Sequence, residues 1–288
     1  MDKGPFSLYD FMGYFIPGAL ALYLILIGSG GDLTDFSKDF LLKDKTTFID
    51  IPLYIIVFYI ILSYCMGHFL SFFSTLTVER YTRIIYGDPS KNLLSDVERK
   101  RYEILFPSSI TNNIKEKIRS NFGLFFILPL IMFDTILYYL KYKHRYMNQI
   151  PSPYRTLVMT KINDAFGQIG FQGDVFANTA NNYHQLLIHY NYEYTQTHAS
   201  KLMNYVALYG FLRVITLISS VYLTYLVFYF CLNYSVDYSW NGVLQAIFIL
   251  AKLFLYGLVT FIFFLGYLKF YRRYTLENLM LILLIKKP

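Results

Sequence analysis

Four long apolar runs, residues 11–27, 51–73, 206–232 and 243–270, limit what this chain can fold into. A bilayer core ~30 Å thick is crossed by about 20 consecutive apolar residues in a helix. Lipid offers the backbone no hydrogen bonds, so a helix that satisfies its own N–H and C=O groups is the natural crossing element. The expected class is an all-α membrane protein with four transmembrane helices. Its composition is 55% apolar and 16% charged, with a mean hydropathy of +0.37, against about 45–50% apolar in soluble domains. The lipid bilayer is the first partner implied. Cys65 ends no metal knuckle or redox spacing and neither does Cys231, so both read as small packing residues.

Lysine and arginine are distributed unevenly between the loops, which sets the orientation. Residues 28–50 carry only Lys38, Lys43 and Lys45, and residues 233–242 carry none. After the second run come Arg80, Arg83, Lys91, Arg99, Lys100 and Arg101, with Lys115, Lys117 and Arg119 further on. After the fourth run come Arg272, Arg273, Lys286 and Lys287. Both termini are therefore expected in the cytoplasm. The first run reads as a span rather than a cleaved leader, because it is preceded by one lysine, Lys3, and by Asp2 and Asp10.

This orientation divides the chain into an N-terminal helix pair (residues 1–74), a helical cytoplasmic domain inserted between helices two and three (75–204), a C-terminal helix pair (205–274) and a short C-terminal cytoplasmic helix (275–288). A fifth apolar stretch, residues 122–140, contains Pro129 and Asp134 and reads as a buried or re-entrant helix of the insert, with a fifth crossing, which would put the basic C-terminus outside, as the competing reading. Helix two is expected to run past the membrane through residues 75–86 and stop at the turn signal Gly87-Asp88-Pro89-Ser90. Ser95 to Glu98 has the form of a capping box. Residues 182–208 lack glycine and proline and read as one helix leading into span three.

Polar residues inside the spans recur at three- and four-residue steps, one stripe per helix. Ser220 and Thr224 lie on such a stripe in span three, and Lys252, Tyr256 and Thr260 on another in span four. These five are the candidate lining of a pore or cavity, with helix packing through hydroxyls as the competing explanation. Lys252 strains the packing explanation most, since an ionisable side chain inside the bilayer is costly and no acidic residue lies in the spans to pair with it. His68, Arg213, Arg272 and Arg273 fall near the expected inner boundary and are candidate interface or lipid contacts, with Arg213 bonding Asp10 or a lipid phosphate.

Catalysis finds no support in the spacing. His184 and His189 are five apart and fall on different helix faces, so no metal ligand set and no cofactor is implied. Phosphate-loop, nucleophile-elbow and zinc-protease motifs are missing as well. The net charge of +7 and the basic clusters at 99–101 and 141–145 suit an anionic inner leaflet better than nucleic acid.

Three segments resemble a known group. They are Ser7 to Leu22 (SLYDFMGYFIPGALAL), Gly67 to Tyr81 (GHFLSFFSTLTVERY) and Tyr205 to Val214 (YVALYGFLRV). The positions that carry the likeness include Asp10, Gly13, Tyr14, Pro17, Gly18, Gly67 and His68, with Tyr209, Gly210, Phe211 and Arg213 in span three. The pattern is similar to a loose group of bacterial multi-pass inner-membrane proteins like the membrane components encoded in antiphage defence islands. The resemblance covers the spans and not the insert. It implies an effector that alters inner-membrane permeability or potential when its cytoplasmic domain is triggered by a defence partner protein. A homo-oligomer, a tetramer by expectation, would follow from polar faces on three spans that four helices do not cover. The alternative is a non-conducting anchor or sensor that docks a cytoplasmic partner.

Overall fold

The computed structural model describes residues 10–28, 53–94, 122–139, 148–171, 173–176, 183–233 and 240–285. The capping box after residue 94, the basic clusters at 99–101 and 141–145, and both loops expected outside lie beyond those residues, apart from the ends of the loops. Every regular element among the described residues is helical. Four helices are long and apolar enough to cross a membrane.

Helix α1 opens with a π turn, Phe11–Phe15, and continues as Ile16–Gly28. Helix α2 runs Leu53–Ser74, widens into a π turn at Thr75–Glu79 and resumes at Arg80–Ile85. Gly87 then takes φ 73°, and the short α3, Pro89–Leu94, follows. That positive φ suits glycine, which has no Cβ to clash. The turn stands where the dipeptide signals place it. Helix α4 begins as a 3-10 turn at Phe122–Ile127 and continues through Leu128–Tyr139. Next come α5, Ser152–Gln168, and α6, Tyr183–Tyr194. The last two helices are α7, Gln196–Asn233, and α8, Trp240–Leu281.

Length decides how α7 and α8 are placed. Their 38 and 42 residues make rods of about 57 and 63 Å at 1.5 Å per residue, twice the bilayer core. Each must project well beyond it. They pair antiparallel, with Tyr222 edge-on to Tyr256 and Tyr209 against Tyr271 and Tyr274. The projecting ends are held by Lys201 Nζ donating to Glu277 Oε1 at 2.8 Å. The main apolar core joins α2, α4, α7 and α8 through Tyr81, Ile127, Leu130, Leu217 and Phe264. A second core, with Leu93, Val158, Ile162, Phe166, Leu187 and Leu279, gathers α3, α5 and α6 around the far end of α8.

The fifth apolar stretch, α4, packs against spans three and four: Phe133 rests on Phe254 and Phe261, and Phe125 on Phe228. Its other face, with Met132, Ile136 and Tyr139, is exposed. The expected helix over 182–208 is interrupted at Thr195. Its Oγ1 donates to the Asn191 carbonyl at 2.6 Å, where its own backbone N–H also points. A hydroxyl offering the backbone a local partner in this way competes with the continuing helix. The separate helix expected from Thr275 is instead the end of α8, because Thr275 Oγ1 bonds back to Tyr271 O at 3.1 Å and the ladder runs on to Leu281.

Candidate functional site

Three segments distant in sequence, around Gly18, Gly67 and Arg213, meet in space. A methyl built on Gly67 would lie 1.9 Å from the Tyr14 carbonyl oxygen, and one on Gly18 1.8 Å from that of Ser63. Only glycine permits α1 and α2 to approach so closely, which is how small residues join helices in lipid. Beside this crossing, His68 stacks on Tyr14 at 3.9 Å between ring centroids, with Tyr64 edge-on at 4.6 Å. His68, read from sequence as an interface anchor, is thus part of an aromatic stack.

One turn further along α2, Arg213 of α7 reaches across. Its Nε donates to Ser74 Oγ at 3.0 Å, and its Nη1 donates to Glu79 Oε2. Nη2 also lies 3.4 Å from Ser71 Oγ. The expected partner was Asp10 or a lipid phosphate; the observed partner is Glu79. The π turn is involved in that choice, since an i→i+5 turn takes in an extra residue and moves the side chains that follow round the axis. Ser74 and Thr75 hydroxyls bond back to Ser71 O at 2.8 and 3.1 Å, so the widened turn is satisfied locally. The Arg213 and Glu79 side chains are 12% and 13% exposed. Removing one member of so buried a pair strands the other, at a cost of ~3–5 kcal/mol.

Glu79 is also held from the other side, by Arg83 Nη2. Arg83 is half-exposed and, with Glu79, lines a cavity of about 390 Å³. The cavity is also lined by Asp88, Ser90 and Lys91 of the turn and α3, by His184 and Gln185 of α6, and by Tyr271 and Thr275 of α8. Tyr183 ties α6 to the turn by donating to Ser90 O at 2.7 Å, and burial raises its phenol pKa. Burial pushes the His184 imidazole down to about 4, which keeps it neutral at pH 7. Its Nε2 has no hydrogen-bond partner among the described residues. An unmet buried polar atom costs ~1–3 kcal/mol, and His184 is on the cavity wall. Asp134, buried within the main core, accepts from Tyr81 Oη at 2.5 Å and Tyr86 Oη at 2.7 Å.

Among the described residues, none of the five pore candidates lines the charged cavity or the apolar one between α1, α2 and α7. Lys252 is exposed with Nζ 4.5 Å from the Phe248 ring centroid, and Tyr256 is exposed against Tyr222. Thr260 and Thr224 turn their hydroxyls to Tyr256 O and Ser220 O on their own helices, and Ser220 is buried. A second cavity, about 480 Å³, is apolar and lies between α1, α2 and α7 along Ala21, Met66, Phe73 and Ile218. Arg272 donates to Asn148 O at 3.0 Å and Arg273 is exposed.

Glu79, Asp88, His184 and Tyr271 were not legible as a site. They come from three distant segments, and the one local signal was the Glu79–Arg83 spacing of four, ordinary on any helix. No group of three histidine, cysteine, aspartate or glutamate residues able to hold a metal occurs among the described residues. Compared with known proteins, the chain matches no family model, no curated protein and no solved structure.

Proposed function

We propose that the chain is an oligomeric membrane effector of a bacterial antiphage system, receiving its trigger at the charged cavity and answering by a change in inner-membrane permeability. The observation that carries this is the position of Glu79. One carboxylate is shared between Arg83 on the cavity wall and Arg213 inside span three. Whatever displaces Arg83 from Glu79 alters the field on Arg213, and so the register between spans two and three. Lys252 supports the oligomer: it is exposed on a lipid-facing helix, where a second copy would shield its charge.

A second reading, a non-conducting sensor or anchor that docks a cytoplasmic partner, is favoured by Thr224 and Thr260. Their hydroxyls serve their own helices rather than a water path. Membrane potential followed by dye in cells challenged with phage separates the two. The effector reading expects wild type to depolarise the membrane, and both Glu79→Gln and Lys252→Met to abolish this at equal membrane abundance. Protection with unchanged potential in the wild type would overturn it in favour of the sensor.

A further inference from the structure

Gln245, Lys252 and Tyr256 of α8 follow one another at helical repeats, so they share one face of the helix, and all three are exposed. Polar side chains in a spanning helix almost always face the interior of a bundle or water, whereas these face outward from the chain. Lys252 is the most demanding of them. The apolar run 243–270 centres near Tyr256 and Gly257, and Lys252 Nζ rests 4.5 Å from the Phe248 ring centroid, on the side away from that centre. The level of Phe248 is ~13 Å from the centre at 1.5 Å per residue, inside a hydrocarbon half-thickness of ~15 Å. Snorkelling along its own helix therefore leaves the ammonium short of the bilayer edge. The acid that α7 and α8 carry is Glu277, at the far end of α8 and bonded to Lys201.

Beside this stripe runs a row of aromatic rings on α7. Tyr222 meets Tyr256 edge-on at 6.0 Å between ring centroids and Tyr225 at 6.4 Å, and Tyr225 meets Tyr229 at 6.2 Å. Tyr225 and Tyr229 are each about half exposed. Because α7 and α8 are antiparallel, Tyr225 and Lys252 lie ~4.5 and ~6 Å from the Tyr222–Tyr256 contact toward the same end of the pair. A cation and exposed aromatic rings thus stand at one height on adjoining faces. An ammonium over a tyrosine ring is stabilised most where water is excluded. Rotation about an axis along the membrane normal leaves heights unchanged, so Lys252 of one copy meets the tyrosine row of another at its own level.

Resting on the oligomer of the reading above and giving it an interface, we propose that this outward face of α7 and α8 is the contact between two copies of the chain, with Lys252 of each seated on the Tyr225 and Tyr229 rings of the other. The contact is isologous, so the same pair of groups is used twice. A different membrane protein would have to bring its own acceptor for the ammonium and its own cation for the rings. This face carries both halves at matching height, which makes a second copy the complementary partner.

The test co-expresses two differently tagged full-length chains in a background of Cys65→Ser and Cys231→Ser, one with Leu255→Cys and the other with Val221→Cys, and oxidises the membranes. Both positions are exposed and lie within one residue of the Tyr222–Tyr256 level, and neither belongs to the proposed cation–ring pair. A disulfide joining the two tags is expected. In mild detergent, light scattering on dilution should show wild type associating, Lys252→Met associating about tenfold more weakly, and Lys252→Arg retaining the association, since a guanidinium also stacks on aromatic faces. Lys252→Met associating as tightly as wild type, or more tightly, would mean that apolar packing alone joins the copies and overturns the proposal. A wild type that stays monomeric, with no cross-link between the tagged chains, overturns it as well, and the detergent measurement on wild type needs no variant to fold. Cross-linked pairs in cells that keep their membrane potential under phage challenge would refute the effector reading alone.

Discussion

At the scale of residues, positions of the same spelling do different jobs. Gly67 and Gly210 are both helical glycines, yet a methyl on Gly67 meets backbone at 1.9 Å and one on Gly210 meets nothing within 4 Å. Gly67→Ala is expected to force α1 from α2 and destabilise the fold by ~1–3 kcal/mol or more, as overpacking does. Gly210→Ala should instead stabilise it by up to ~1 kcal/mol, the helix-propensity difference. Thermal midpoints of the two variants in one detergent check this, and a Gly67→Ala midpoint equal to wild type would remove the close crossing. Arg213 illustrates what a sequence hides. Its chemistry, an arginine needing an anion near the membrane boundary, was readable. Its partner was not, because Glu79 faces Arg213 beyond a π turn, and a 3.6-residue period carries no trace of that turn.

At the scale of elements, the spans were legible because apolar length and helical hydrogen bonding leave few alternatives in lipid. The ends of helices were less so. Thr195 and Thr275 both bond back to a carbonyl four residues earlier, at 2.6 and 3.1 Å, but the helix breaks at the first and continues at the second. Tertiary packing decides: beyond Thr275 the side chains of Leu279 and Ile282 are buried in the second core, which holds α8 together for two further turns. Helix α4 is the element whose role was hardest to read, since an apolar stretch with one aspartate suits a soluble core and a membrane alike. Asp134 fixes it to α2 by accepting from two phenols at 2.5 and 2.7 Å. Asp134→Ala would leave both phenols buried without that acceptor, at ~1–3 kcal/mol each. The expected outcome is a lowered thermal midpoint in detergent together with protease sensitivity around α4, whereas an unchanged midpoint would show that Asp134 does not hold α4 in place.

At the scale of the whole molecule, the second core gathers α3, α5, α6 and the end of α8, α7 joins them through Leu202 beside Tyr274 and Leu281, and the end of α2 shares the charged cavity with α6 and α8. The charged cavity lies among them. The sequence offers an expected orientation, from basic residues crowding after runs two and four, since the positive-inside rule acts on loops and needs no tertiary information. It did not carry the cavity, whose walls join residues 79–91, 184–185 and 271–275 only after folding. The central claim is that this assembly of helix ends faces the cytoplasm, opposite the end of α1 at Gly28. Cysteine accessibility in intact cells tests it most directly, in a background carrying Cys65→Ser and Cys231→Ser, with an impermeant maleimide and single cysteines at Gly28→Cys and Ser152→Cys. The account predicts labelling of Gly28→Cys in intact cells and of Ser152→Cys only after lysis; labelling of Ser152→Cys in intact cells would contradict it.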